Sequence, residues 1–271
     1  MTYRNEARAA QRRARAELAS GDESRIKYAA LELREAMEAL TYDRAAAYKN
    51  ELPPIAYETW QPRKVMELLL EIDPNADKDS SLALGIEETP GVPASVMHSI
   101  GSEKVLNLKQ LKKHYDALGN FLHVPTLKQS TAGPIDHAKR RERCEQISKF
   151  IDDVLKSPVW NSTLGIFAET ECEICGETIR KRIPHGAEKL SAKCFGCKAT
   201  YTVTDAGAGR THWQLDMVDV SCANPNCHNV THILHHELKE GSTWTCRDCG
   251  GRNRISLGVA FTPVAESEPS P

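Results

Sequence analysis

Eight of the nine cysteines in this chain fall into four close pairs, all in its second half. The pairs are Cys172 and Cys175, Cys194 and Cys197, Cys222 and Cys227, and Cys246 and Cys249. Two turns that each present a pair of thiolates supply the tetrahedral ligand set that Zn²⁺ prefers, and two such pairs roughly 15–20 residues apart are typical of zinc sites. The sequence therefore predicts two structural zinc ions, one held by the first four cysteines and one by the last four.

The two sets of cysteines form an internal repeat. Eighteen residues separate Cys175 from Cys194, and eighteen separate Cys227 from Cys246. Both modules resemble zinc ribbons, in which two turns joined by a hairpin hold one ion. Four thiolates fill the coordination sphere and leave no open position for a substrate, which favours a structural ion over a catalytic one.

The second module differs from the first in one turn. Four residues lie between Cys222 and Cys227, where the other pairs have two. Nearby histidines are close enough along the chain to replace one thiolate; they are His228, His232, His235 and His236. We expect a four-cysteine site here, and a site with one histidine stays open as the alternative.

Composition limits the classes of protein to consider. The chain has 271 residues, 40% of them hydrophobic and 27% charged, with a net charge of -2. No apolar run approaches the roughly 18 residues of a membrane span, and the first residues lack the apolar core of a secretory signal. We expect a cytoplasmic protein without a membrane partner, and paired thiols in a reducing compartment indicate metal rather than disulfides.

The first part of the chain is predicted to be helical. Apolar residues recur at helical spacing through residues 22–50, as Ile26, Ala30, Leu33, Met37, Leu40 and Ala47. Further helices are predicted over 60–72, 107–124 and 136–157, and Cys144 falls on the apolar face of the last of these. Residues 1–21 are basic and lack such a face, so we expect a helical or flexible arm there.

After about residue 160 the chain becomes rich in Thr, Val, Ile and Gly, which favours short strands. The predicted fold class is a multidomain α+β protein, with an α-helical bundle followed by two small β modules. The predicted domains are an arm at 1–21, a helical domain at 22–157 with an irregular insertion at 74–105, a first zinc ribbon at 163–212, a second at 213–262 and a disordered tail at 263–271.

One stretch of the first ribbon is basic. The sequence "RKRIPH" places Arg180, Lys181, Arg182 and His185 on a predicted strand, where they are candidate nucleic-acid-binding residues. The module holds six Lys and Arg against three acidic residues over 172–201, which is a weak excess for tracking phosphates once the thiolate charges are included. Trp213 and Trp244 could stack on bases or form the small hydrophobic plug of each ribbon. RNA, DNA and a protein all stay candidate ligands.

Two stretches of the helical part, "ALELREAMEAL" and "YDALGNFLHVP", resemble helices of HEPN-type domains, which occur in many prokaryotic toxins and anti-phage proteins. The resemblance covers roughly residues 22–157. It implies a helical domain that forms homodimers, and a place in a defence or toxin system. Active members of the family are metal-independent RNases with an Arg followed after four to six residues by a His.

Carried onto this chain, the resemblance gives His123 the role of the His and Asn120 that of the polar residue beside it. The Arg should fall at position 116, 117 or 118, where this chain has Asp, Ala and Leu. Arg34 could supply the cation from the first helix, or it could pair with Glu38 one turn further on. His123 could equally form local hydrogen bonds at the helix end.

The sequence thus favours a zinc-binding adaptor without catalysis, which recognises nucleic acid or protein through its ribbons. One alternative is a HEPN-type endoribonuclease with His123 as base. Another is a transcription-associated regulator that uses the ribbons on a polymerase.

Overall fold

The computed structural model describes residues 2–52, 61–89, 92, 94–124, 126, 131, 135–207, 209–256 and 258. The chain divides into two compact units. The helical unit comprises residues 1–168 and 180–186, and the cysteine unit comprises residues 169–179 and 187–271. The predicted tail at 263–271 and the end of the predicted second ribbon lie outside the described residues.

Five α-helices of the helical unit are described. They are α1 (Tyr3–Ala19), α2 (Ile26–Ala46), α3 (Pro62–Ile72), α4 (Leu108–Leu122) and α5 (His137–Leu155), with a 3-10 turn at Glu23–Arg25 before α2. Their first turns carry the expected start signals. Asn107 and Asp136 accept hydrogen bonds from the backbone amides three residues on, at 2.8 and 2.9 Å, and α3 begins with Pro62. None of the described helices combines the length and the apolar composition that crossing a membrane requires.

The core of the helical unit lies around α2, which contacts α1, α3, α4 and α5. Leu33 and Met37 have no exposed surface, as the periodicity of α2 predicted. Cys144 on α5 is also fully buried, and burial raises the pKa of its thiol to about 12. This cysteine is therefore an inert core residue and not a reactive thiol.

Helix α1 packs into this core, although we expected residues 1–21 to form an arm. Its buried face is built from small side chains, Ala7, Ala10 and Ala14, each at most 1% exposed. Alanines let two helices approach closely, but they give a weak hydrophobic signal in sequence. Arginine side chains of α1 also form contacts. Arg4 is 5% exposed and donates to the Val154 carbonyl oxygen at 2.9 Å.

Two antiparallel strands, β1 (Ser80–Leu84) and β2 (His98–Glu103), occupy the predicted insertion at 74–105. The remaining strands follow α5. They are β3 (Ile166–Glu171), β4 (Thr178–Ile183), β5 (Lys189–Lys193), β6 (Thr200–Gly207), β7 (Arg210–Leu215), β8 (Met217–Ser221), β9 (Val230–Leu234), β10 (Thr243–Thr245) and β11 (Arg252–Arg254). Helices at the start of the chain and small antiparallel sheets at its end confirm the predicted mixed α+β class.

The strands after α5 form four small sheets. Strand β3 pairs with β4, β5, β6 and β7 form a three-stranded sheet, β8 pairs with β9, and β10 pairs with β11. Buried side chains alternate along β6, where Tyr201 and Val203 face inward. Among the described residues from 217 to 258, only Cys246 and Asn253 are buried. The last two sheets therefore have almost no apolar core.

A neutral histidine is buried in the helical unit. His114 on α4 is 6% exposed, and its Nδ1 lies 3.0 Å from Nη2 of Arg143 on α5. A guanidinium can only donate, so the imidazole accepts at Nδ1 and carries its proton on Nε2. Burial, followed by the positive charges of Arg143 and Lys113, lowers the pKa of His114 to about 4.

This histidine makes the stability of the helical unit depend on pH. The unfolded chain protonates it near pH 6.5 and the folded chain only near pH 4, so the stabilisation is complete above pH 6.5 and is lost as the pH falls towards 4. Between about pH 7.5 and pH 5, we expect the wild type to lose about 2 kcal/mol more stability than His114→Gln, because glutamine accepts from Arg143 and does not protonate. Urea unfolding followed by circular dichroism measures this difference, and equal losses would contradict it.

Candidate metal centres

The first quartet of cysteines converges on one point in space. The four Sγ atoms of Cys172, Cys175, Cys194 and Cys197 all lie within 4.8 Å of one another. The Sγ atoms of Cys172 and Cys197 are 3.5 Å apart, and so are those of Cys175 and Cys194. One pair comes from the turn after β3 and the other from the turn after β5, so the quartet joins two sheets that are not paired with each other.

Each turn of the first quartet is closed by the same two backbone hydrogen bonds. The amide of Cys172 donates to the Glu177 carbonyl oxygen at 2.9 Å, and the amide of Gly176 donates back to the Cys172 carbonyl oxygen at 2.8 Å. The turn that starts at Cys194 repeats both bonds five and four residues on. The position after the second cysteine is left-handed in both turns, with φ of 76° at Gly176 and 69° at Lys198.

The second quartet has the same arrangement. The Sγ atoms of Cys222 and Cys249 are 3.7 Å apart, and those of Cys227 and Cys246 are also 3.7 Å apart. All four sulfurs lie within 4.8 Å of one another. The turn that starts at Cys246 is closed by the same two bonds as the turns of the first quartet, to Gly251 and from Gly250.

The wider turn from Cys222 to Cys227 accommodates its two additional residues without losing the closing bond. The amide of Cys222 donates to the carbonyl oxygen of Asn229, seven residues on, at 2.9 Å. The side-chain oxygen of Asn253 accepts from the Ala223 amide at 2.8 Å, which fixes the start of the turn from the opposite hairpin. The widened spacing therefore leaves the two sulfurs as well placed as in the other turns.

The neighbouring histidines are not members of the second quartet. His232 is exposed, and its Nδ1 lies 2.6 Å from an Asp219 carboxylate oxygen across the β8–β9 pair. Four cysteine sulfurs already form the group that could hold an ion. The alternative site in which a histidine replaces a thiolate thus has no support in the geometry.

The spacing of the sulfurs fits a single tetrahedral ion. A tetrahedron with metal–sulfur bonds of about 2.3 Å has sulfur–sulfur edges of about 3.8 Å, close to the 3.5 and 3.7 Å found here. A disulfide would bring two sulfurs to about 2.05 Å, and all nine cysteines are free. Each quartet could therefore hold one metal ion.

Hydrogen bonds to the sulfurs favour thiolates at two of the ligand positions. Burial opposes ionisation of Cys172, but the Tyr201 hydroxyl and the amides of Ile174 and Cys175 outweigh it and lower the pKa to about 6. In the second quartet, the amides of Cys249 and Asp248 lower the pKa of Cys246 to about 6. Backbone amides directed at a sulfur are the local support that a metal thiolate needs.

The pKa is raised at three other sulfurs, those of Cys194, Cys197 and Cys227. Burial raises the pKa of Cys194 to about 12, with the neighbouring sulfur of Cys175 also raising it. Four adjacent thiolates repel one another, so a divalent ion at their centre is what allows all four to ionise. The Tyr201 hydroxyl donates to the Cys172 sulfur at 3.3 Å, the Asn229 side-chain amide donates to the Cys246 sulfur at 3.4 Å, and Asn253 holds the turn after Cys222. No sequence pattern singled out these three residues.

The predicted nucleic-acid-binding residues have partners in the helical unit. Lys181 is 5% exposed and donates to the carbonyl oxygen of Glu71 at the end of α3, and burial lowers the pKa of its ammonium. Arg182 donates to the Asp73 carboxylate at 2.6 Å, and Arg180 donates to the Asn50 carbonyl oxygen at 3.3 Å. Of the four predicted residues, His185 is the exposed one.

Asp73 is an important residue that no sequence pattern singled out. Its carboxylate has no exposed surface and accepts from both the Tyr48 hydroxyl and Arg182, each at 2.6 Å. Burial, together with donation to Asp73, raises the pKa of Tyr48. A pattern of local periodicity cannot reveal this network, because its members come from three distant segments.

The predicted catalytic residues are only partly brought together. Arg34 lies over the ring of Tyr115 at 3.9 Å, and the Tyr115 hydroxyl donates to Glu38, so Glu38 is engaged by the phenol. Asn120 is exposed near the end of α4, and His123 is the exposed C-cap of that helix. Within the described part of the chain, no hydrogen bond joins His123 to Arg34 or Asn120.

Trp213 and Trp244 are both half-buried. The Trp213 ring meets the Tyr201 ring edge-on, with centroids 6.3 Å apart, and its Nε1 donates to Thr211. Because Tyr201 also donates to Cys172, this contact links Trp213 to the first quartet through one residue. The arrangement is what a small hydrophobic plug beside a metal site requires.

No family model, curated protein or solved structure matches this chain. The HEPN resemblance, the defence setting and the homodimer that it implies therefore stay predictions. The assignment of the two cysteine quartets rests on the distances between their sulfur atoms.

The two quartets should bind metal independently. We expect Cys194→Ser to reduce the metal content from two ions per chain to about one, because a serine hydroxyl replaces a thiolate poorly in a soft four-sulfur site. Elemental analysis of freshly purified, reduced protein measures the content. The matched control is Cys144→Ala, which removes a buried thiol outside both quartets and should leave two ions. An unchanged content in Cys194→Ser would contradict the assignment of the first quartet.

Proposed function

We propose that each quartet holds Zn²⁺ and that the protein is a zinc-stabilised adaptor without catalysis, which binds a partner protein through its cysteine unit. Four-sulfur tetrahedral sites suit zinc or iron. Zinc is the ion that has no redox chemistry and no geometric preference of its own, which fits a purely structural role. Four cysteine ligands leave no position at which water or a substrate could be activated.

A structural role for the ions follows from the lack of core. The described residues from 217 to 258 bury only Cys246 and Asn253, and a segment of this size cannot offset its conformational entropy with so little apolar burial. A metal bound to four side chains from two hairpins supplies the missing free energy of folding.

The charge of the cysteine unit is the observation that favours a protein partner over nucleic acid. Residues 169–179 and 187–258 contain eleven Asp and Glu against eight Lys and Arg. Each Zn²⁺ with four thiolates adds a further net charge of two minus. Binding to a phosphate backbone depends on a cationic surface that releases counterions, and this unit is anionic.

The basic run that suggested nucleic-acid binding does not offset this charge. Lys181 is buried, and Arg182 forms its ion pair with a fully buried carboxylate, that of Asp73. Withdrawing either cation to contact a phosphate would leave a buried polar group without its partner. These contacts support a structural role for the run.

The cysteine unit has exposed apolar side chains, and one of them lies within a cysteine turn. Ile174 sits inside the first turn, between two ligand cysteines, and is 49% exposed. Met217 on β8 is also 49% exposed, and Val230 on β9 is 44% exposed. Apolar residues held in fixed positions by a metal-bound turn are suited to protein contact, where the centre of an interface is apolar.

A photo-crosslinking amino acid in place of Ile174 tests the proposal. In extract of the source cells, we expect it to trap a discrete protein, and we expect the product to survive nuclease treatment and to disappear after chelation of the metal. The matched control places the same amino acid at Tyr28, which is 53% exposed on the helical unit and should not trap that protein. A crosslink that is lost on nuclease treatment would instead assign the cysteine unit to nucleic acid.

The endoribonuclease alternative requires a catalytic site in the helical unit. Cleavage through the ribose 2'-hydroxyl needs a base and a cation near one phosphate. Arg34, the cation proposed for this role, lies against Tyr115 instead of His123. We expect the pure, metal-loaded protein to leave RNA intact. RNA cleavage that is lost in His123→Ala and kept in His185→Ala would overturn the adaptor proposal.

A further inference from the structure

A surface groove runs between α1 and α2 in the helical unit. Its volume is about 550 Å³, within the range of about 300–1,000 Å³ that is typical of ligand pockets. The side chains of Ala9, Ala10 and Ala39 line it. Because these residues carry only a methyl group, they leave room for an aliphatic chain to lie between the two helices.

Two tyrosine rings stand at one end of the groove. The rings of Tyr3 and Tyr42 have centroids 5.6 Å apart and are tilted by 40°. Tyr3 is 46% exposed and Tyr42 is half-buried. The faces of tyrosine rings attract cations, and arginine is the cation found most often in such contacts.

Two carboxylates, those of Glu6 and Glu38, line the same groove. Glu38 accepts a hydrogen bond from the Tyr115 hydroxyl, which is a neutral donor. No ion pair within 4 Å joins Glu6 or Glu38 to another residue in the described ranges. The one lining cation, Arg13, is already held by Glu32 and Glu35 at 2.7 and 3.0 Å.

The electrostatics of Tyr42 agree with this arrangement. Burial and then the negative charge of Glu38 raise the pKa of the Tyr42 phenol. The Glu38 carboxylate therefore lies close to the tyrosine rings in the groove. A cation placed there would meet aromatic rings and the carboxylates of Glu6 and Glu38 together.

We propose that this groove binds an arginine side chain presented by a basic segment of a partner protein. The guanidinium stacks on the tyrosine rings and pairs with Glu6 and Glu38, and its aliphatic stem lies along the alanines. Arginine combines a planar cation with an apolar stem, and each part has a counterpart in the groove. The site lies wholly within the helical unit, and it does not depend on the proposed role of the cysteine unit.

Alanine-methyl NMR of the full-length, metal-loaded protein tests the proposal directly. The probe is a short glycine peptide with one central arginine and blocked ends, and the comparison peptide carries citrulline, which has the same shape without the charge. We expect the arginine peptide to shift the methyl signals of Ala9, Ala10 and Ala39, and to bind at least about tenfold more tightly than the citrulline peptide. The buried Ala29 methyl is the internal control and should not move.

Variants identify the groups responsible. The double variant Glu6→Gln/Glu38→Gln should weaken binding of the arginine peptide about tenfold, while Glu38→Gln retains an oxygen that accepts from Tyr115. The matched control is Glu23→Gln, which removes an exposed carboxylate away from the groove and should bind as the wild type does.

Three results would overturn the proposal. The first is equal binding of the arginine and citrulline peptides, and the second is the absence of shifts at the three groove methyls. The third is a shift of these methyls on raising the protein concentration alone, which would assign the groove to a second copy of this chain.

Discussion

Mutual repulsion of four sulfurs gathered at one point is the constraint on which the cysteine unit depends. Backbone amides and the Tyr201 hydroxyl favour a thiolate at Cys172, while Cys194 retains its proton in the absence of a cation. A divalent ion at the centre of the quartet would remove this conflict, because all four sulfurs could then ionise and bind it. The small sheets then need only a minimal apolar core, which is what the second module has.

The helical unit follows a different rule, in which burial of apolar side chains supplies most of the stability. Leu33, Met37 and their neighbours on α2 lie at the centre and contact the surrounding helices. Several polar residues of this core are paired, such as Arg44 with Glu103 at 3.2 Å and Tyr48 with Asp73 at 2.6 Å. Each pair joins segments that are distant in sequence, which favours one arrangement of the helices over others.

Sequence patterns predicted those features that are local. The repeated cysteine spacing gave both quartets, and the 3.6-residue period of α2 gave its buried face, because each signal is contained in a short stretch. The packing of α1 was not predictable, since Ala7, Ala10 and Ala14 carry no strong hydrophobic signal. The partners of Lys181 and Arg182 were hidden for another reason. They lie about 110 positions earlier in the chain, at Glu71 and Asp73.

The contact between Arg182 and Asp73 has a consequence for how the chain can be divided. The amino-acid composition changes near residue 160, which suggests a domain boundary at which the chain could be truncated. Arg182 lies beyond that point, and its guanidinium neutralises the buried carboxylate of Asp73. A truncated N-terminal fragment would keep the Tyr48 hydroxyl and the Asn75 amide as donors to the Asp73 carboxylate, but it would lose the cation that balances this charge. Any expression fragment of the helices must therefore extend at least through Gly186.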